Sequence, residues 1–148
     1  MPMCKVADIL SIKGRSVHTI ESDRSVFDAV TKMVEKNVGA LVVTQGGQMC
    51  GVLTERDYLR RIVLEGRTSR NTLVKDVMTS NVICVDPSRT IQECMATMTA
   101  AHIRHLPVME GAELVGIVSI GDLVKYLSKE QETHIRYLND YINGKYPG

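Results

Sequence analysis

Tryptophan is absent from this 148-residue chain and phenylalanine occurs once, so there is no set of flat rings on which unpaired bases could stack. An excess of charge of one sign is missing too: 18 Lys and Arg stand against 17 Asp and Glu, a formal net charge of +1. No overall field draws such a chain to nucleic acid or to an anionic membrane surface, and no basic stripe is clustered along it. Apolar runs stop far short of the roughly 18 residues that a membrane-spanning helix needs. The start, Met1-Pro2-Met3-Cys4-Lys5, has neither an apolar signal region nor an Arg- and Ser-rich transit character. A cytoplasmic address is therefore expected, unless a targeting segment has been removed. Among the four cysteines, Cys4, Cys50, Cys84 and Cys94, no Cys-x-x-Cys pair occurs, which argues against a zinc or thioredoxin-type site. Cys50 and Cys84 lie in strand-like runs and Cys94 on a helix face, and all three read as small buried hydrophobes. A redox role for Cys4 stays open, because an N-terminal cysteine is often exposed.

Catalytic constellations are missing as well. His18, His102, His105 and His134 show no paired metal spacing, and neither a Gly-x-Ser-x-Gly elbow nor a Walker loop occurs. Gly46-Gly47 sits in a hairpin turn, and Glu21 and Asp23 sit in a turn where solvation explains them. The expectation is a protein that is not an enzyme.

What is present is a duplication. Residues 17–58 and 82–123 align without a gap at an offset of 65, with Val17 on Val82, Arg24 on Arg89, Met33 on Met98, Leu41 on Leu106, Val43 on Val108, Gly46 on Gly111, Gly51 on Gly116 and Asp57 on Asp122. Each unit closes on a similar phrase, Gly51-Val-Leu-Thr-Glu-Arg-Asp57 or Gly116-Ile-Val-Ser-Ile-Gly-Asp122. Units this short bury little apolar surface alone, so two copies are expected to share one body. A groove between like units is a natural ligand site.

Both units read strand, helix, strand, strand, helix. In the first, 16–20 is a β-rich run. Ser25 caps a helix whose apolar positions Val26, Ala29, Val30, Met33 and Val34 recur at three and four, and Asp28 completes a capping box. Residues 40–44 and 49–53 flank the Gln45-Gly-Gly-Gln48 turn, and Thr54 opens a helix over 55–64. In the second, 81–85 is the strand, Thr90 caps 91–101, residues 105–109 and 113–118 form the hairpin, and Ser119 opens a helix over 120–127. Short amphipathic pieces, 6–10 and 74–78, precede the units. The boundaries read as repeat 1 over 5–66, a linker over 67–73, repeat 2 over 74–128, and an added amphipathic helix and tail over 129–148, through Ile135, Leu138, Tyr141 and Ile142. The helix over 25–36 shows two apolar stripes, Val26–Val30–Met33 and Phe27–Val34. A second greasy face suggests a wider core within the chain or, as favoured here, a homodimer contact.

These residues resemble the CBS domain pair, or Bateman module: the duplicated Gly-h-h-[Thr/Ser]-x-x-Asp endings and the Arg104-His105-Leu106-Pro107-Val108 stretch carry the likeness over roughly residues 5–128. The run from Lys5 through Gly14, the Thr54-Glu-Arg-Asp-Tyr58 stretch and the Leu138-Asn139…Tyr141-Ile142 tail resemble the stand-alone single-pair proteins of bacteria and plant organelles. The resemblance implies an α/β (α+β) fold of two tandem βαββα repeats packed with pseudo-twofold symmetry. It implies dimers and the binding of adenosine compounds: AMP, ADP, ATP, S-adenosylmethionine or NAD. Such proteins act as sensors rather than catalysts.

By the same resemblance, Asp122 would accept from the ribose diol and Ser119 would bond the phosphate side, while Arg104 and His105 match the phosphate-contacting positions. Thr79 and Ile83 match the segment lining the adenine slot, and Val118, or its neighbour Ile117, would supply an apolar wall. Repeat 1 keeps Thr54 and Asp57 but has Gly39-Ala40 in place of Arg104-His105, so a weaker site is expected there, with Arg56 reaching across the pseudo-twofold. Yet Thr54-x-x-Asp57 and Ser119-x-x-Asp122 are also ordinary capping boxes. Three functions compete: an adenine-nucleotide sensor signalling to an unknown regulated protein, a ligand-independent dimeric scaffold, and a binder of one dinucleotide across both half-sites.

Overall fold

Two hairpins carry the sheets of the protein, seen in a computed structural model that describes residues 4–129 and Arg136. The strand β1 (Thr19–Glu21) runs parallel to β2 (Ala40–Gln45), which pairs antiparallel with β3 (Gln48–Thr54). β2 is buried at five successive positions, which is why it reads as an unbroken apolar run. Gly46 and Gly47, at φ +60 and +82, make the tight turn that most side chains resist. In repeat 2, β4 (His105–Glu110) and β5 (Glu113–Ser119) form the equivalent hairpin, and the register slips after Val43 in one and after Val108 in the other.

The strand expected over 81–85 does not form; one parallel bridge, Val85 to Val108, stands in its place. Two prolines account for this. In repeat 1 the Val42 N–H donates to the His18 carbonyl and the Ser22 N–H to the Thr44 carbonyl. At an offset of 65 these two donors become Pro107 and Pro87, which have no N–H. Only the two bonds on either side of Val85 survive, Val85 N–H to the Pro107 carbonyl and Met109 N–H to the Val85 carbonyl.

The helices α2 (Val26–Lys36) and α5 (Ile91–Ala101) start where expected. Thr90 and Glu93 form a full capping box. At α2 only half forms: Ser25 accepts from the Asp28 N–H, but the Asp28 carboxylate turns to Arg24 Nε at 3.2 Å. The helix expected over 55–64 is α3 (Glu55–Tyr58) followed by a π-turn, Leu59–Val63, closed by the Leu64 N–H on the Leu59 carbonyl. The wider turn keeps Ile62 in the core with Tyr58 and leaves Leu59, Val63 and Leu64 outside. In repeat 2 the helix α6 spans 120–129 of the described residues. The helix expected over 129–143 otherwise lies outside the described residues, save Lys129 and Arg136. Of the second stripe on α2, Phe27 is covered by the Arg70 guanidinium, 3.9 Å from its ring centroid, whereas Val34 stays 75% exposed.

The repeats exchange their leading segments. α1 (Val6–Lys13) packs on repeat 2: Val6 N–H bonds the Arg89 carbonyl, Ala7 N–H the Pro87 carbonyl, and Ile91 N–H the Cys4 carbonyl. α4 (Val74–Val77) repeats the pattern on repeat 1, through Val74 to Arg24, Lys75 to Ser22, and Val26 to Thr72. Val6, Ile9 and Leu10 join the core of Ile91, Leu106 and Val118, and Val74 and Val77 join that of Val26, Leu41 and Leu53. This exchange relates the two halves by a pseudo-twofold. Gly51 and Gly116 are where the exchanged pieces come closest: a Cβ at Gly51 would lie 2.6 Å from Met78 Sδ and 2.8 Å from the Thr79 carbonyl oxygen, and one at Gly116 2.7 Å from Leu10 Cδ2.

Gly51→Ala is expected to cost about 1–3 kcal/mol of stability. Gly116→Ala is expected to cost less, because a leucine methyl swings aside more readily than a backbone carbonyl. Urea unfolding midpoints of both variants check the order, and an equal or larger loss at Gly116 counts against this account of the packing.

Candidate functional site

Thr54 and Ser119 end their strands in extended conformation just as the following helices need a donor-satisfying cap. Each hydroxyl accepts from the N–H three residues on, at 3.1 Å, and each carboxylate, Asp57 or Asp122, accepts from the cap residue's own N–H, at 3.0 and 2.8 Å. The capping boxes are therefore real, and they hold both acids at fixed, half-buried positions.

The two acids differ in their third partner. Asp57 accepts from the Thr79 hydroxyl, 3.2 Å from Oδ1 and 3.3 Å from Oδ2. Asp122 Oδ2 takes the ammonium of Lys13 at 2.6 Å, and the same ammonium donates to the Ile117 carbonyl at 2.8 Å. Thr79, grouped with Asp122 in the sequence, is thus brought to Asp57. The physical cause is the exchange of leading segments: the chain after α4 runs along repeat 1, where Thr79 N–H and C=O both pair with Val52. The chain after α1 runs along repeat 2, and that is where Lys13 comes from.

Val118 is fully buried in its own repeat's core, so it lines no groove; strand alternation turns half-buried Ile117 to the other face. Ile83 is 42% exposed. Arg56 does reach across to repeat 2, but its Nη1 donates to the His102 carbonyl at 3.0 Å, at the C-terminal cap of α5. The guanidinium there meets the negative end of a helix rather than an open groove. Arg104 is exposed, and its carbonyl accepts from the Ile120 N–H.

His105 is the residue at the centre. Its Nε2 lies 3.5 Å, and Glu55 Oε1 3.0 Å, from where a Cβ on Gly39 would stand. Gly39 and Ala40 are the counterparts of Arg104 and His105, so near the pseudo-twofold one repeat supplies bulk and the other makes room. Burial pushes the His105 ring below its ordinary 6.5, Lys13 adds to this, and Glu55 and Asp122 oppose it. Burial alone would raise Asp122, but the Lys13 ammonium and the Ser119 N–H outweigh it and hold the carboxyl below its ordinary value. Lys13 and Glu55 escaped the sequence reasoning: Lys13 lies ahead of the aligned repeats and 109 residues from its partner.

Two other features sit apart. A cleft of about 440 Å³ between α2 and α3 is lined by Val30, Val34, Val38, Gly39, Glu55 and Leu59 among others; it touches the His105 corner, but neither Asp57 nor Asp122 lines it. Cys94 is buried and Cys50 and Cys84 are half-buried, and burial pushes the thiols of Cys84 and Cys94 upward. Among the described residues no three His, Cys, Asp or Glu side chains gather as a metal site, and no helix is long and apolar enough to cross a membrane.

A family model described as the CBS domain matches residues 6–64 and 74–129. A mitochondrial CBS domain-containing protein of Arabidopsis thaliana, CBSX3, is 40% identical over 150 residues, covering 95% of this chain and 73% of its own. A solved structure from Burkholderia ambifaria, described as a candidate signal-transduction protein with CBS domains, superposes with a TM-score of 0.83 at 45% identity, covering 86% of this chain and 96% of that one. A hexameric CBS-CP12 protein from bloom-forming cyanobacteria superposes with a TM-score of 0.75 at 25% identity, over 84% of this chain and 68% of that one.

Both shifted groups act on stability in the same direction. A pKa depressed by folding contributes stability that is present above the unfolded value and lost as pH falls through the folded one. For His105 that loss begins below 6.5, and for Asp122 below its ordinary 3.8. Removing Lys13 as Lys13→Met should move the His105 titration, followed by NMR of the ring protons, up toward 6.5. A His105 curve that does not move removes Lys13 from its surroundings.

Proposed function

The chain belongs to the CBS domain family, as two matched domains and relatives of similar length establish, and on that premise we propose that it is a regulatory sensor of adenine nucleotides. The observation that carries this is the convergence of a ribose-competent carboxylate, Asp122, with a helix cap, Ser119, and three cationic or titratable side chains, Lys13, Arg104 and His105. A carboxylate accepts from both hydroxyls of a ribose. Phosphates need cations and exposed N–H groups, and Lys13 and Arg104 supply the cations. Among AMP, ADP and ATP the smaller phosphate load fits better, since Glu55 stands beside His105 and repels a long polyphosphate. NAD and S-adenosylmethionine are the alternatives within the same class. Binding rather than turnover is the proposed activity, and the signal is a shift in the relative tilt of the repeats that a regulated protein reads. A ligand moves that equilibrium only by binding one shape better than the other.

Calorimetric titration of AMP, ATP, NAD and S-adenosylmethionine tests this directly. Saturable binding by the wild type that falls at least about tenfold in Asp122→Ala is expected. Equal affinity of the wild type and Asp122→Ala for every compound would remove Asp122 from ligand binding and leave it a helix cap.

A second function rests on a different face. Val34, Leu59, Val63 and Leu64 are 75%, 56%, 54% and 80% exposed in repeat 1; Val34 and Leu59 line one cleft, and Val63 and Leu64 follow on the same π-turn and its cap. Their counterparts in repeat 2 at an offset of 65 are Thr99, Val124, Ser128 and Lys129, so three of the four positions turn polar there and Val124, 49% exposed, is the one that stays apolar. We propose that repeat 1 uses this face to pair with a second copy, giving a homodimer that is the unit of signalling. Leu59→Asp is expected to convert dimer to monomer in sedimentation velocity without altering the circular dichroism spectrum. A wild type that sediments as a monomer at high concentration defeats the dimer proposal.

A further inference from the structure

The two cap carboxylates are held by chemically different internal partners. Asp57 has a neutral hydroxyl on it, from Thr79. Asp122 has a full positive charge on it, from Lys13, whose side chain is one-third exposed. We infer that Lys13 is itself a ligand-binding residue of the Asp122 site, one that leaves the carboxylate for the ligand's phosphate and so makes this site selective for phosphorylated over unphosphorylated adenosine. This inference rests on the adenine-nucleotide reading of that site.

The inference follows from competition for one set of lone pairs. Asp122 Oδ2 already accepts from the Ser119 N–H and from Lys13 Nζ. A ribose diol docking on this carboxylate competes with the ammonium. Uncharged adenosine offers the displaced ammonium no anion in exchange, leaving it the Ile117 carbonyl and water. A nucleotide carries its own anion on the 5′ carbon of the same ribose, within reach of a flexible lysine stem. The ion pair is then exchanged rather than lost, and Asp122 is released to accept from the sugar. Lys13 also ends α1, ahead of Gly14 at φ +96, so its backbone lies at a point where the helix already stops. At Asp57 the displaced group is a hydroxyl, which water satisfies, so that site carries no such preference.

The experiment is calorimetric titration of AMP and of adenosine into full-length wild type, Lys13→Met, Lys13→Arg and Thr79→Val. Wild type is expected to prefer AMP by about tenfold or more. In Lys13→Met the two affinities should move in opposite directions, adenosine tightening as Asp122 is freed and AMP weakening as its cation goes, so that the ratio collapses toward unity. Lys13→Arg should restore the preference, and Thr79→Val should leave it unchanged. A preference for AMP that persists in Lys13→Met overturns the inference, as does a parallel loss of both ligands, which is what a purely structural lysine would give. If the wild type binds neither compound, the adenine-nucleotide reading falls and takes this inference with it; if the wild type binds both and Lys13→Met leaves their ratio unmoved, the Lys13 role alone falls.

Discussion

The structure depends on one reciprocal docking: the segment ahead of each repeat is hydrogen-bonded and packed onto the other. The three backbone bonds from Cys4–Ala7 to repeat 2 and the three from Thr72–Lys75 to repeat 1 are the same set twice. A single βαββα unit leaves the end of its sheet and the start of its helix bare, and its own chain cannot return to cover them. A partner segment of four to eight residues covers both, supplying Val6 and Leu10 to one core and Val74 and Val77 to the other. Each repeat thereby loses part of its core if the other is taken away, which explains how units too short to be stable alone make a stable pair. Gly51 and Gly116 follow as a consequence, because the docked segments ride directly over β3 and β5.

Symmetry of the docking does not make the halves equal, and the departures cluster where function is expected. Near the pseudo-twofold, equivalent residues compete for the same space. His105 Nε2 comes within ordinary contact, 3.5 Å, of where a Cβ on Gly39 would stand, and Glu55 Oε1 is the tighter neighbour there, at 3.0 Å. Pro87 and Pro107 remove the donors that would extend a strand over 81–85, so the chain leading to repeat 2 is held by a single bridge while its counterpart in repeat 1 is paired at three positions. Beyond α4 the chain pairs with the edge of β3 through Thr79. Beyond the corresponding point of α1 the helix runs on for another turn and offers a lysine side chain to the equivalent edge carbonyl, that of Ile117. Duplication made the frame, and substitution at a few axial and edge positions made two chemically distinct corners within it.

Much of this was legible in the sequence because it is local. The hairpins were set by Gly46-Gly47 and Gly111, the helix starts by Ser25, Thr54, Thr90 and Ser119, and the cores by apolar positions at the right period. The element that did not form, over 81–85, has enough β-branched residues to read as a strand; what defeats it is the missing N–H of Pro107 in the neighbouring strand and of Pro87 just past its own end, and the bonds those would make are tertiary facts until the pairing is known. The misplacement of Thr79 has the same origin. The short pieces 6–10 and 74–78 were visible, but nothing local says on which repeat each one lies, and that choice decides which acid Thr79 and Lys13 meet. The choice between Val118 and Ile117 stays open in the sequence for a simpler reason: along a strand whose neighbours are both apolar, composition does not say which face is which, and the structure buries Val118 and leaves Ile117 half-buried.

The docking also supplies a route by which a small ligand can alter a large surface. α1 is anchored at its front by backbone bonds to Pro87 and Arg89, in its middle by Leu10 over Gly116, and at its end by the Lys13–Asp122 ion pair. Only the last of these bonds is made by a long, partly exposed side chain, and only the last lies on the carboxylate that a ribose would take. Backbone and core contacts hold α1 to repeat 2 independently of Asp122, so on the proposed reading a response to ligand would be confined to the last turn and to the loop behind it, which leads into β1 of repeat 1. On the proposed nucleotide reading, a change at Asp122 in one repeat would then reach the sheet of the other through covalent chain rather than through a diffuse network. That is sufficient for a tilt between the repeats, provided that the ligand binds the tilted form better. The exposed apolar side chains of α3 and its π-turn, Leu59 and Val63, belong to that same repeat.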